Sequence, residues 1–275
     1  MRQRTIALIL LLVFAAGGIF YFISNNKPLT PPEPISNAVA APTAFQVSFV
    51  NSYPHDTAAF TEGLQYIDGV LYESTGNKDN MPQSTLRKVD LISGKVIKNL
   101  KLKDEYFGEG VTVLGDTIYQ LTWQNHVGFV YKKADFSLIK TFDVPFEGWG
   151  MTTDGKQLYI SDGTNIIHVY DPHTLKEVNR ISVQDNNGML SNVNELEWID
   201  GYIYSNVWQT NYILKIDPAT GNVVGKTDLT QQIQVALPNF DWQTNVLNGI
   251  AYDAATKKIY ITGKNWPKLF EVRFN

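Results

Sequence analysis

Residues 107–123 read FGEGVTVLGDTIYQLTW, and the order of residue types in this stretch decides the fold. A β-branched run, Val111 to Val113, leads into the turn pair Gly115-Asp116 and then a second apolar run centred on Ile118-Tyr119, which reads as a tight hairpin. The same order returns in EGLQYIDGVLYEST from Glu62, WGMTTDGKQLYISDG from Trp149, ELEWIDGYIYSNVW from Glu195 and NGIAYDAATKKIYITG from Asn248. Each copy carries an aliphatic-Tyr pair in its second strand: Leu71-Tyr72, Ile118-Tyr119, Leu158-Tyr159, Ile203-Tyr204 and Ile259-Tyr260. Tyrosines this regular are expected to pack one unit against the next.

Most copies continue into a second hairpin, as in TLRKVDLISGKVIKNLKL and ILKIDPATGNVVGKTDL, so four strands recur about every 45 residues, the signature of a propeller blade. The fifth copy stops one strand short, at KLFEVRFN, and AFQVSFVNSYPHD stands before the first copy where an outer strand would stand. The expected fold is therefore all-β: a five-bladed β-propeller over residues 45–275, with an N-terminal strand closing the last blade. Such closure removes sheet edges that would otherwise template aggregation.

The chain ahead of the repeats has a different composition. Arg2 and Arg4 precede an apolar run from Ile6 to Ile23, about 18 residues and about 27 Å as a helix. Residues 1–24 read as an uncleaved signal-anchor helix with its N-terminus cytoplasmic, and the Pro- and Ala-rich residues 25–44 as a linker. The propeller is then expected outside the cytoplasm, periplasmic or secreted, held to the inner or plasma membrane by this helix, and monomeric. A net charge of -4 leaves no basic surplus for nucleic acid. There is no cysteine, and His55, His126, His168 and His173 lack metal-ligand spacing, so neither a metal nor a cofactor is expected.

In a propeller the first strand of each blade lines the channel, and its beginning faces one mouth. Glu62, Glu109, Trp149, Glu195 and Asn248 are accordingly expected around one site, with flanking glycines allowing backbone or ligand to approach closely. FTEGL, FGEGVT, GWGMTTDG, NELEWIDGYIYSNVWQT, LNGIAYD and ITGKNWPKLFEV resemble the motifs of the plant and bacterial glutaminyl-peptide cyclotransferases, five-bladed propellers. The resemblance runs from Phe45 to Asn275. It implies conversion of N-terminal glutamine in peptides and proteins to pyroglutamate with release of ammonia, without catalytic metal.

That chemistry asks for a group that takes a proton from the α-amine and hands it to the departing nitrogen. A carboxylate raised in pKa by an apolar surround can do both, and Glu109 is the candidate, at a position the family motif also marks. By resemblance, Asn194 and Lys264 contact substrate or intermediate, and Trp123, Trp149 and Trp208 form an aromatic pocket with Phe60 and Phe107. Glu62 stands where plant members often carry glutamine; it, Gln124 and Asn248 complete the expected substrate-binding set. Trp198 alternates with core positions and reads as packing, while Trp242 lies in the last long loop. Two other classes compete: a calcium-dependent propeller lactonase using Glu62, Glu109, Asn194, Glu195 and Asn248 as oxygen ligands, and a non-catalytic binding propeller.

Overall fold

The computed structural model describes residues 39–77, 83–238, 240–241 and 244–275. The expected anchor helix and Trp242 lie outside them. Four-stranded antiparallel sheets follow one another along the chain. Blade one comprises Phe60–Ile67, Val70–Gly76, Thr85–Val89 and Val96–Lys101, and blade two Gly108–Leu114, Thr117–Thr122, Val127–Lys132 and Leu138–Asp143. Blade three comprises Met151–Thr153, Leu158–Ser161, Ile166–Asp171 and Lys176–Ser182, and blade four Val193–Ile199, Tyr202–Val207, Tyr212–Ile216 and Val223–Asp228. Blade five has Leu247–Asp253, Lys258–Gly263 and Lys268–Phe274, and its outer strand is Val47–Pro54 from the start of the domain. That strand runs antiparallel to the last, from Val47 opposite Phe274 to Pro54 opposite Lys268, which closes the ring as the sequence predicts. Thr43–Ala44, in the expected linker, instead pair in parallel with Gly225–Lys226 of blade four, whose outer edge offers free backbone groups.

The hairpins form where turn chemistry allows. Asp68-Gly69 and Asp200-Gly201 both adopt positive φ at each position, the two-residue turn whose twist matches that of the strands it joins. Burial falls outward: Gly108–Leu114 is buried almost throughout, whereas Leu138–Asp143 is mostly exposed. The aliphatic-Tyr pairs fill the seams. Tyr72 packs with blade two, Tyr119 with blade three, Tyr159 with blade four, Tyr204 with blade five and Tyr260 with blade one. Trp198 is half-buried and stacks on Tyr159 with ring centroids 5.3 Å apart.

Towards the channel each inner strand presents amides that no further strand pairs. Side chains of other blades satisfy them. Glu195 accepts from the Leu64 and Ile250 amides at 3.2 and 2.9 Å, Glu197 from Tyr252 at 2.8 Å, and Gln65 from Val113 at 2.6 Å. Burial pushes the Glu197 carboxyl up to about 8, against the pull of the Tyr252 amide and the Thr152 hydroxyl.

Candidate active site

The inner strands are irregular at one shared level. In blade one Thr61 and Gly63 face consecutive partners, leaving Glu62 over; in blade two Glu109 and Gly110 oppose Leu121 alone. Asn194 and Glu195 likewise oppose Asn206, and Asn248 and Gly249 oppose Thr262. In blade three Ser161 bonds both Trp149 and Gly150, donating to the Gly150 carbonyl at 3.0 Å and accepting from the Trp149 amide at 2.9 Å. An extra residue in one strand re-aims a side chain off the pleat, and here every inner strand has one. The adjoining glycines serve this arrangement through backbone contact between blades. A Cβ on Gly110 would lie 2.5 Å from the Met151 nitrogen, and one on Gly150 2.2 Å from the Asn194 carbonyl oxygen.

The bulges surround a cavity of about 240 Å³ lined by Glu62, Glu109, Asn194 and Lys264, by Phe60, Phe107, Trp123, Trp149 and Trp208, and by Asn77. Phe60 meets Phe107 edge-on at 6.2 Å, Phe107 meets Trp123 at 5.7 Å, and Trp149 meets Trp208 at 5.6 Å. Trp123 and Trp208 are 36% and 37% exposed, while Glu109 is 6% exposed. Burial pushes the Glu109 carboxyl well above the usual carboxylate range; the charges of Glu62 and Glu147 raise it further, and Lys264 opposes them. Lys264 donates to Glu62 at 2.7 Å and lies 4.5 Å from the centre of the Phe60 ring. Among the described residues the buried Asn194 amide oxygen finds no hydrogen-bond partner, and a donor would offset its desolvation by about 1–3 kcal/mol.

Three of the expected positions are placed otherwise. Glu195 turns away from the cavity, because both of its oxygens accept from backbone amides; its neighbour Asn194 takes the wall position. Those amides also occupy one of the five oxygen ligands that the calcium reading requires. Asn248 lies beneath the cavity, donating to the Thr61 carbonyl at 2.9 Å and to Glu62 at 3.2 Å. Gln124 stays at the exposed rim, donating to Glu147 at 3.1 Å.

Glu147 and Asn77 escape the sequence reading. Glu147 accepts from the indole N–H groups of Trp123 at 2.8 Å and Trp149 at 3.3 Å, tying two walls of the pocket together. Its only signal is an acidic residue two places before Trp149 in FEGWG. Asn77 follows the second strand of blade one and carries no signal beyond its place at a strand end.

Comparisons with known proteins agree with this fold. The model of a family described as glutamine cyclotransferase matches residues 25–274. The glutaminyl-peptide cyclotransferase of Arabidopsis thaliana is 39% identical over 230 residues, which is 83% of this chain and 71% of the plant protein. The crystal structure of glutaminyl cyclase from Myxococcus xanthus superposes with a TM-score of 0.77 at 35% identity, over 85% of this chain and 98% of that one.

Proposed function

This chain belongs to the glutamine cyclotransferase family, and we infer that it cyclises N-terminal glutamine of peptides and proteins with Glu109 as the proton carrier. The observation that carries the role is a buried carboxyl of raised pKa on the wall of an indole-lined cavity beside Asn194 and Lys264. An α-amine has an ordinary pKa of about 7.7–8.0, so a carboxylate raised well above its usual range can take the amine proton at little free-energy cost.

The freed amine attacks the side-chain carboxamide carbon, forming the ring C–N bond and placing negative charge on the former carbonyl oxygen. One of the three N–H donors of Lys264 serves Glu62, leaving the others for that oxygen. The unpartnered Asn194 oxygen accepts from the carboxamide NH₂, orienting it. Glu109 then returns its proton to that nitrogen, the C–N bond to it breaks as the oxyanion collapses to the lactam carbonyl, and ammonia leaves, taking the surplus proton of the ring nitrogen with it as ammonium. The aromatic walls pack the glutamine stem and exclude water that would stabilise the amine as ammonium. Only the first residue of the substrate enters a cavity of this size.

The basic residues ahead of the Ile6 to Ile23 run support an anchored propeller facing the extracytoplasmic side, where exported chains expose new N-termini. The ring closed by Val47–Pro54, which covers the edge of Lys268–Phe274, supports a monomer. The test is to incubate the protein with a Gln-initiated peptide and follow loss of the mass of ammonia. Glu109→Gln should lower turnover about 10²- to 10⁴-fold with peptide binding retained; undiminished turnover would remove Glu109 from its role.

A further inference from the structure

Glutamine and glutamate side chains have nearly the same shape, so the aromatic walls cannot separate an N-terminal glutamine from an N-terminal glutamate. Charge must. A lysine alone in an apolar pocket would draw a γ-carboxylate in, yet here Lys264 is already matched. Its Nζ lies 2.7 Å from Glu62 Oε1, and the other oxygen, Oε2, accepts from Asn248 at 3.2 Å. Asn248 is fixed in turn by the Thr61 carbonyl at 2.9 Å. All three side chains are buried: Glu62 is 2%, Lys264 6% and Asn248 0% exposed. A carboxylate entering the cavity therefore meets a cation already matched by Glu62: the remaining N–H groups of Lys264 can bond an oxyanion formed inside the pocket, but the pair offers no net charge to draw a carboxylate in.

Resting on the cyclase reading above, we propose that Glu62 is the specificity-determining residue of this pocket: by closing Lys264 into a neutral pair it admits the carboxamide of N-terminal glutamine and turns away the carboxylate of N-terminal glutamate. The same pair tunes the proton carrier. The charged groups acting on Glu109 are Glu62 and Lys264, across the cavity from blades one and five, and Glu147 from the loop before blade three. Replacing Glu62 by glutamine removes one negative neighbour and leaves Lys264 uncompensated. Both changes favour ionised Glu109.

The experiment uses the full chain and two peptides that differ only in an initial Gln or Glu. With Glu62→Gln, the inhibition constant of the Glu-initiated peptide at pH 7.5 should fall by about tenfold or more. The acid limb of kcat/KM for the Gln-initiated peptide should also move to lower pH. An unchanged inhibition constant, or equal weakening of both peptides with the acid limb in place, would overturn the proposal. Should Glu62→Gln not fold, the unaltered protein decides the question. Its inhibition by the Glu-initiated peptide should weaken about tenfold per pH unit above the γ-carboxyl pKa of about 4.3, while KM for the Gln-initiated peptide does not follow that slope. Inhibition that stays flat overturns the proposal. Absence of ammonia release from the Gln-initiated peptide by the unaltered protein is a separate result, and it would strike the cyclase reading itself.

Discussion

Gly110→Ala is the sharpest test of how this fold makes its site. The Gly110 amide donates to the Trp149 carbonyl at 2.6 Å, joining blade two to blade three. A methyl group there would lie 2.5 Å from the Met151 nitrogen and 2.6 Å from both the Gly150 carbonyl carbon and the Trp149 oxygen. All three are backbone atoms, so no rotamer change relieves the contact. Since carbon contacts become favourable only near 3.5–4.0 Å, the two inner strands must separate by about 1 Å. Overpacking of this kind costs about 1–3 kcal/mol of stability. Glu109 and Trp149 stand directly beside the strained atoms, and a displacement of about 1 Å in a reacting group costs about 10² in rate. The comparison is Gly69→Ala, where nothing lies within 4 Å but φ is +84°. There the expected loss is about 1–2 kcal/mol of stability from left-handed backbone, with activity unchanged. Urea unfolding followed by tryptophan fluorescence gives the stabilities, and ammonia release gives the rates. If Gly110→Ala kept native turnover, or lost no more of it than Gly69→Ala, close approach of the inner strands would not be what sets the cavity.

Other consequences are as direct. His55 links the ring-closing segment to blade one, bonded to Glu73 at 3.0 Å and to the Trp266 carbonyl at 2.8 Å. Burial alone would depress its pKa, but the Glu73 charge and hydrogen bond more than offset this, so the pKa is raised above 6.5. Its contribution to stability is therefore complete below pH 6.5 and lost as pH rises through the raised value; His55→Gln should flatten that limb of a stability–pH curve. Glu147→Leu frees the indole N–H groups of Trp123 and Trp149 and should raise KM for a Gln-initiated peptide about tenfold, with the acid limb of kcat/KM lower because a negative neighbour of Glu109 is gone. Deleting Val47–Pro54 bares the edge of Lys268–Phe274 and should yield aggregates by light scattering; a soluble monomer would contradict the closure. Trp266 is fully buried with its N–H on the Asn245 carbonyl at 2.7 Å, and Trp266→Ala should lower stability by about 3–5 kcal/mol in urea.

Much of this was legible in order of residues alone. The repeated hairpin, the Asp-Gly turns and the missing fifth-blade strand are local or countable features, and they lead to a closed five-bladed ring without any coordinate. The aliphatic-Tyr pairs declared the seams because a residue recurring once per blade must face the same neighbour in each. Glu109, Trp149 and Glu62 were marked by glycines at the strand openings. Those glycines were expected to let backbone or ligand approach closely, and at Gly110 and Gly150 it is the backbone of the next blade that needs the space.

Sequence by itself determined the architecture, because blade identity rests on period and turn type, which are properties of short segments. Only the tertiary structure decided which side chains share the cavity. At each bulge two neighbours oppose one residue, and nothing in the local order says which of them is re-aimed; in blade four the amides of Leu64 and Ile250 claim Glu195 and leave Asn194 at the wall. Likewise Lys264 and Glu62 stand far apart in the chain, and only closure of the ring makes them a buried pair rather than two exposed charges.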